Sequence, residues 1–186
     1  EMSPGGQQRD HDFDLGAVAE VMEGRYRPGH FQGVAQVVSR LMRMAGPCRA
    51  YFGQKDYQQI AVLRRMKATE GLDDVEIVAC PIHRGEDGLA MSSRNRLLTP
   101  GQRKTAPGIY RILRESVDYS RAHSVEETRR EVVERVNRLP ECRVEYFEIA
   151  DADTLQGIAR WTDADSVIGC ITVSCAISMS DLNPIM

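Results

Sequence analysis

The chain has 186 residues, a net charge of −3 and an isoelectric point of about 5.9. That balance lacks the excess of cations by which proteins bind nucleic acid or anionic membranes. Apolar residues make up 42% and charged residues 27%, as in globular proteins that bury a core of their own. No apolar run approaches the roughly 20 residues of a membrane-spanning helix. We therefore expect a globular protein with neither nucleic-acid nor membrane partners.

The cysteines indicate free thiols and no metal site. They are Cys48, Cys80, Cys142, Cys170 and Cys175, an odd number with wide spacings and no C-x-x-C. A zinc site needs clustered thiolates or imidazoles, and the sequence has only four histidines. Cys80, Cys170 and Cys175 lie in apolar runs and are predicted to be small core residues. Free thiols are typical of a reducing compartment, so we expect a cytoplasmic protein.

Helices and strands alternate in the first half of the chain, the order typical of a parallel α/β sheet. Asp56 is a candidate N-cap for the third helix, and Gly71 follows that helix. The second helix has an apolar stripe of Phe31, Val34, Val37, Val38, Leu41 and Met42, and the third a core face of Ile60, Leu63 and Met66. The predicted elements are a short helix over 14–22, a loop over 24–29, a helix over 30–46, a strand over 50–52, the helix ending before 71 and a strand over 75–82.

The second half has an α+β pattern. Thr99 and Pro100 fit the N-cap and N1 positions of a helix that we expect to run to about residue 121. Ser124 and Glu127 form a capping box at the start of another helix, over 124–139. A three-stranded antiparallel sheet is predicted from strands over 143–149, 166–173 and 176–183. The boundary between the halves is expected near residues 88–97.

Gly53-Gln54-Lys55-Asp56 lies where the first predicted strand meets a helix. Ligands of open α/β sheets bind outside the carboxyl ends of strands, and a helix N-terminus there attracts anions. Gly53 would let the backbone approach a ligand, Lys55 adds a cation, and Asp56 could bind a ribose hydroxyl. The alternative is an ordinary helix start with a solvated lysine.

Two further clusters also contain candidate anion ligands. The loop over 87–95 combines Ser92, Ser93 and Arg94, and a guanidinium with hydroxyl groups can bind phosphate. The alternative is a capped turn in which these side chains bond local backbone. The segment 23–31 places two arginines and a histidine before a helix, and it fits an anion site and a surface loop equally well.

Taken in order, these clusters resemble the pantothenate synthetases, the pantoate–β-alanine ligase family. Any one motif could occur by chance, whereas the ordered set with family-like gaps is highly specific. Weaker similarity runs to the end of the chain, including the stretch 148–155. The matching stretches are Met22-Glu23-Gly24, Arg27-Pro28-Gly29-His30-Phe31-Gln32-Gly33-Val34, Val37-Val38, Tyr51-Phe52-Gly53-Gln54-Lys55-Asp56-Tyr57-Gln58-Gln59 and Asp87-Gly88-Leu89-Ala90-Met91-Ser92-Ser93-Arg94-Asn95.

The resemblance implies a fold and a reaction. Residues 1–88 would be the C-terminal part of an incomplete Rossmann-like nucleotidyltransferase domain that binds ATP and pantoate. Residues 89–186 would be a small α+β domain acting as a lid or in dimerisation. Members of the family condense (R)-pantoate with β-alanine through a pantoyl adenylate, using ATP with Mg²⁺ and releasing AMP and pyrophosphate. They have no tightly bound cofactor and are commonly homodimers.

The resemblance also implies roles for individual residues. Gly53, Gln54, Lys55 and Asp56 would contact ATP, with Lys55 on phosphate and Asp56 on the ribose. His83 would lie beside adenine, chiefly through backbone. Met91, Ser92, Ser93 and Arg94 would close over the triphosphate, with Lys55, Ser92, Ser93 and Arg94 as the catalytic set. Gln59 would hydrogen-bond pantoate.

The sequence departs from the family in two ways. Gln54 stands where the family usually has Glu, and the family's phosphate-binding H-x-G-H motif does not occur in this chain. We therefore expect a truncated member that makes little or no pantothenate alone. The alternatives are a non-catalytic lid or dimerisation module and a related nucleotidyltransferase.

Overall fold

The structure, a computed structural model, describes residues 12–175 and forms two compact units. The first comprises the residues up to Ile82 together with Asp153–Gln156, and the second comprises His83–Ala152 and the residues from Gly157 onward. This division falls a few residues before the boundary predicted near 88–97. The assignment of separate functions to residues 1–88 and 89–186 stays a prediction.

The first unit contains the parallel strand pair predicted from the sequence. Its two strands pair in register from Cys48 opposite Val75 to Gly53 opposite Cys80. The strands are short and apolar, and helices connect and precede them, as the α/β pattern requires. The helices and strands are α1 (Met22–Tyr26), α2 (His30–Ala45), β1 (Cys48–Gly53), α3 (Tyr57–Thr69) and β2 (Val75–Cys80).

The core of the first unit lies between α2, α3 and the strand pair. The predicted core face of α3 is confirmed, because Ile60, Leu63 and Met66 are all buried. The predicted stripe of α2 is only partly correct. Its core-facing residues include Phe31 and Met42, whereas Val37 and Leu41 are 43% and 46% exposed. The buried face is therefore narrower than the apolar spacing indicated.

The predicted helix over 14–22 is interrupted. A short 3-10 helix occupies Ala17–Ala19, inside the predicted range. The helix α1 begins at Met22, the last residue of that range, and continues beyond it. Met22 has a φ of 45°, which breaks helical continuity at that residue. Part of the predicted loop over 24–29 is correspondingly helical. Local spacing alone did not predict this bend.

The second unit packs helices against an antiparallel strand pair. Its elements are α4 (Pro100–Thr105), α5 (Pro107–Tyr119), α6 (Val125–Asn137), β3 (Cys142–Asp151) and β4 (Val167–Cys175). The two strands pair antiparallel, with an irregularity between Val144 and Tyr146. Buried residues of α5, α6 and β3 form one core, including Ile112, Val132 and Phe147. The third predicted strand, over 176–183, lies outside the described residues.

Local helix signals in the second unit are confirmed at their starts. Thr99 and Ser124 are N-caps, and each forms the reciprocal capping box with Gln102 or Glu127. The helix predicted from Pro100 to about residue 121 is instead divided at Pro107. Proline has no N–H to donate to the preceding turn, so the chain starts a new helix there.

All five cysteines are free thiols, but their burial differs from the prediction. Cys142 is fully buried, whereas Cys80, Cys170 and Cys175 are only partly buried. Desolvation by burial nevertheless raises the pKa of the Cys170 thiol to about 11. Among residues 12–175, no helix is long and apolar enough to cross a membrane.

Candidate functional site

The carboxyl ends of β1 and β2 lie at the same edge of the first unit's sheet. Because the strands are parallel and Gly53 pairs with Cys80, both strands end there and the polypeptide leaves the sheet at that edge after each of them. In open α/β sheets this edge is where ligands bind. The predicted cluster from Gly53 to Asp56 follows β1 directly, so the structure brings these residues to that edge.

The polar side chains of this cluster contribute little to the fold. Gln54–Asp56 form a short 3-10 helix before α3, and all three residues are exposed. Asp56 occupies the N-cap position of α3, but its side chain accepts no capping hydrogen bond, contrary to the prediction. The Lys55 Nζ lies 3.6 Å from the Asp56 Oδ1, which is a loose and exposed ion pair. The charges of Lys55 and Asp56 are therefore available to a ligand.

Gly53 has no neighbour in the protein that requires glycine. Its backbone is extended, with a φ of −73°, and a Cβ added there would meet no atom within 4 Å. A Cβ is therefore sterically allowed at this position. A group outside the described residues that approaches the backbone would account for glycine here.

Two adjacent glutamines at the start of α3 have different surroundings. Gln59 is half-buried at the position predicted to bind pantoate, and Gln58 is buried. The Gln58 side chain accepts from the Glu23 N–H at 3.1 Å and donates to the carbonyls of Val18 and Val21 at 2.8 and 2.7 Å. Gln58 thereby fixes the bend before α1 to the start of α3. Sequence reasoning missed this role because its partners lie at least 35 residues away in the chain.

The second cluster, in the second unit, sits on a small hairpin. Arg84 and Ala90 pair across it, and the Met91 N–H donates to the His83 carbonyl at 2.9 Å. The Asp87 carboxylate accepts hydrogen bonds from Leu89 N–H and Arg103. The Arg103 hydrogen bond is the main cause that lowers the pKa of Asp87 below its usual value.

The candidate ligands at the end of this hairpin are mostly exposed. His83, Met91, Ser93 and Arg94 are exposed, and Ser92 is half-buried. Ser92 caps the 3-10 helix Ser93–Leu97 by accepting from the Arg94 N–H at 3.2 Å. That bond supports the capped-turn interpretation for Ser92, although its hydroxyl keeps a donor. Within residues 12–175, Arg94 forms no ion pair.

The third cluster shows less evidence of an anion site. Arg27 forms an ion pair with Glu23 at 3.0 Å, so one of the two arginine charges of this cluster is already neutralised. His30 is exposed at the first position of α2, after Gly29. A cleft of about 330 Å³ is lined by residues between Phe13 and Gln32, including Arg27. Residues 53–59 do not line this cleft, so its position gives no support to the cluster at the strand ends.

Carboxylates, imidazoles and thiols do not cluster in groups of three that could hold a metal within the described part of the chain. The structure places the predicted site residues in two groups. One group follows β1 in the first unit and the other ends the hairpin in the second unit.

Comparison with known proteins identifies the family. The pantoate-beta-alanine ligase family model matches residues 2–182. The chain belongs to the pantoate-beta-alanine ligase family. It is 58% identical over 163 residues to the pantothenate synthetase of Porphyromonas gingivalis, covering 88% of this chain and 58% of that protein. It is 47% identical over 176 residues to the enzyme of Bacteroides thetaiotaomicron, covering 94% of this chain and 61% of that protein.

Solved structures of the family share the fold. The pantothenate synthetase of Thermus thermophilus matches with a TM-score of 0.83 and 42% identity over 93% of this chain and 62% of that one. The ligase of Francisella tularensis, complexed with beta-gamma ATP and beta-alanine, matches with a TM-score of 0.57 and 31% identity, over 70% and 46% of the two chains. The predicted fold class, a nucleotidyltransferase-like α/β domain with a small α+β domain, is confirmed. The chain spans 58% of the length of the Porphyromonas relative.

The two glutamines of α3 provide a test of the local structure. We expect Gln58→Met to lower the free energy of unfolding by about 2 kcal/mol, because it leaves a buried N–H and two carbonyls without their partner. Gln59→Met is the matched control and should change stability little. Urea unfolding of both variants measures the difference. Equal midpoints for Gln58→Met and Gln59→Met would contradict the role assigned to Gln58.

Proposed function

We propose that this chain binds ATP and pantoate for the ligation of pantoate to β-alanine. The observation that carries the proposal is the conjunction at Gly53 of an unhindered backbone, an exposed Lys55 and a helix start at the carboxyl end of β1. Backbone N–H groups and a cation at such a place suit a phosphate chain. Family membership and the nucleotide-bound Francisella relative support ATP as that ligand.

The proposed reaction has two steps. A carboxylate oxygen of pantoate attacks the α-phosphorus of ATP, which forms pantoyl adenylate and releases pyrophosphate. The amine of β-alanine then attacks the acyl carbon, losing a proton as the amide forms and AMP leaves. Negative charge develops on the phosphates in the first step, so fixed donors and cations there stabilise its transition state.

In the first unit, Gly53, Gln54, Lys55 and Asp56 would contact ATP. Lys55 would neutralise phosphate charge, and the Asp56 carboxylate would accept hydrogen bonds from ribose hydroxyls. Neither function competes with a strong internal bond, since the two side chains are exposed and their mutual ion pair is loose. Gln59, half-buried in the first turn of α3, would hydrogen-bond pantoate through its amide.

In the second unit, the exposed Met91, Ser93 and Arg94 would cover the triphosphate together with Ser92. The Arg94 guanidinium would bind phosphate oxygens in a bidentate manner. Ser92 would act through its remaining O–H donor, because its oxygen already accepts from the Arg94 N–H. His83 would contact adenine through its backbone. Within the hairpin, the His83 carbonyl already accepts a hydrogen bond from the Met91 N–H. His83 therefore has one further carbonyl lone pair and its own N–H to offer adenine.

Mg²⁺ would enter as the counter-ion of ATP. This ion binds mainly to phosphate oxygens and water and needs few protein carboxylates, so the substrate itself would carry it. Cytoplasmic location is supported by the free cysteines. A homodimer is proposed from the family alone.

The first test is calorimetric binding of Mg-ATP by the chain. We expect saturable binding that Lys55→Ala and Arg94→Ala each weaken by at least about tenfold, since each removes a charged donor to phosphate. Lys67→Ala at the far end of α3 and Arg130→Ala on α6 are the matched controls and should bind as the parent does. Absence of binding by the parent chain would refute the proposal for this polypeptide. Binding by a nucleotide other than ATP in preference would favour a related nucleotidyltransferase.

Gly53 allows a sharper test, because its substitution has no steric effect within the described protein. We expect Gly53→Ala to leave thermal stability nearly unchanged and to weaken Mg-ATP binding by about tenfold, as a methyl group would occupy the space of the phosphates. Gly157→Ala is the control, since a Cβ there also meets no atom within 4 Å. Unchanged affinity in Gly53→Ala would show that no ligand approaches this backbone.

Turnover by the 186-residue polypeptide is expected to be very low. The H-x-G-H motif that binds phosphate in the family does not occur in its sequence, and loss of one preorganised donor reduces rates by about 10² to 10³. Pantothenate formation should be assayed from ATP, pantoate and β-alanine, with the Porphyromonas enzyme as the positive control. A rate within about tenfold of that enzyme would contradict the expectation.

A further inference from the structure

The segment that ends the hairpin is fixed at both of its ends. Before Ser92, the Met91 N–H donates to the His83 carbonyl at 2.9 Å. After Arg94, the Asn95 side-chain amide donates to the Ala90 carbonyl at 3.0 Å. Residues 92–94 therefore inherit their position from the hairpin. Whatever holds the hairpin also places the proposed triphosphate ligands.

The hairpin is held against α5 by one aromatic ring. The Arg84 guanidinium carbon lies 3.7 Å from the centroid of the Tyr110 ring, close enough for a cation–π interaction. An Nη1 of the same guanidinium donates to the Gly88 carbonyl at 3.2 Å. Arg84 thus connects the turn of the hairpin to the ring, and both Arg84 and Tyr110 are half-buried.

Gly88 contacts the same ring from the turn. A Cβ added to Gly88 would lie 2.7 Å from the Tyr110 Cδ1, and the φ of Gly88 is 86°. Both the backbone conformation and the close approach require glycine. Contact with Tyr110 therefore explains the glycine at position 88. The motif over residues 87–95 begins before Ser92 because its first residues form the turn of the hairpin.

The ion pair between Asp87 and Arg103 is the second attachment, to α4. Both side chains are more than one third exposed, at 35% and 46%, so solvent screens the pair. Tyr110 belongs to α5, whose Ile112 is buried in the core of the second unit.

We propose that Tyr110, acting through Arg84 and Gly88, is a positioning residue for the segment Met91–Arg94. This inference rests on the proposed binding of the triphosphate by that segment. Tyr110 itself need not touch the nucleotide. Its ring orders the hairpin in advance, so that less conformational freedom is lost when the ligand binds.

The test measures hairpin order and ligand binding separately. Amide hydrogen exchange of Gly85 and Met91 reports the hairpin, because both donate hydrogen bonds across it. We expect Tyr110→Leu and Arg84→Met to speed this exchange by about fivefold and to weaken Mg-ATP binding by a similar factor. Tyr110→Phe keeps the ring face and should show the exchange rates and the Mg-ATP affinity of the parent chain. Tyr119→Leu is the matched control on the same helix, since its ring stacks on His123.

Arg84→Met protects the test against misfolding, because it removes the cation and leaves the core side chain of α5 intact. Unchanged exchange of Gly85 and Met91 in Tyr110→Leu would overturn the proposal even if Arg84→Met speeds it, because Arg84 also donates to the Gly88 carbonyl within the hairpin. Faster exchange with unchanged Mg-ATP affinity would also overturn it, because order in the hairpin would then not matter for the ligand. If the parent chain binds no Mg-ATP, the proposed function fails, and the exchange data alone decide whether Tyr110 holds the hairpin.

Discussion

The parallel pairing of β1 with β2 is the constraint on which the chemistry of the first unit depends. Parallel strands end at one edge, so the residues that follow β1 are placed there whatever their own preferences. Lys55 and Asp56 are exposed there and bind each other only loosely. Within the described part of the chain, neither side chain is held by a strong internal bond, so both charges are free for the ligand that we propose.

Local sequence rules correctly predicted where helices of the second unit start. They failed where contacts with residues distant in the chain determine the local conformation. The capping boxes at Thr99 and Ser124 follow from residues three positions apart, and both are present. The helix predicted over 14–22 failed because Met22 adopts a positive φ in a bend that Gln58 fixes from α3. No spacing within residues 14–22 contains that information. The division of the second unit's first predicted helix has a local cause, because Pro107 has no N–H to donate to the preceding turn.

The site was predictable to a different degree in each unit. The Gly53–Asp56 cluster stands out by a glycine and a lysine at a strand-to-helix junction, and the Met91–Arg94 cluster by two adjacent hydroxyls and a guanidinium on a loop. The roles of these residues in ligand binding come from the family resemblance and stay predictions. The two roles of serine in the second cluster could not be separated in advance, because Ser92 and Ser93 are adjacent and chemically alike. The structure distinguishes them, since Ser92 caps the Ser93–Leu97 helix and Ser93 is exposed. The contribution of Tyr110 was invisible, as it depends on a ring 26 residues beyond Arg84 in the chain.

The arginines of the second cluster divide structural and ligand-binding tasks. Arg84 interacts with Tyr110 and the Gly88 carbonyl, and Arg103 is paired with Asp87. Both cations thus hold the hairpin: Asp87 neutralises the charge of Arg103, whereas Arg84 lies on the face of a neutral ring. Arg94 has no ion pair within residues 12–175 and extends from the end that these contacts fix. An anion that approaches the end of the hairpin therefore meets the guanidinium of Arg94 without a competing carboxylate from the described residues, while Arg84 and Arg103 hold the hairpin in place.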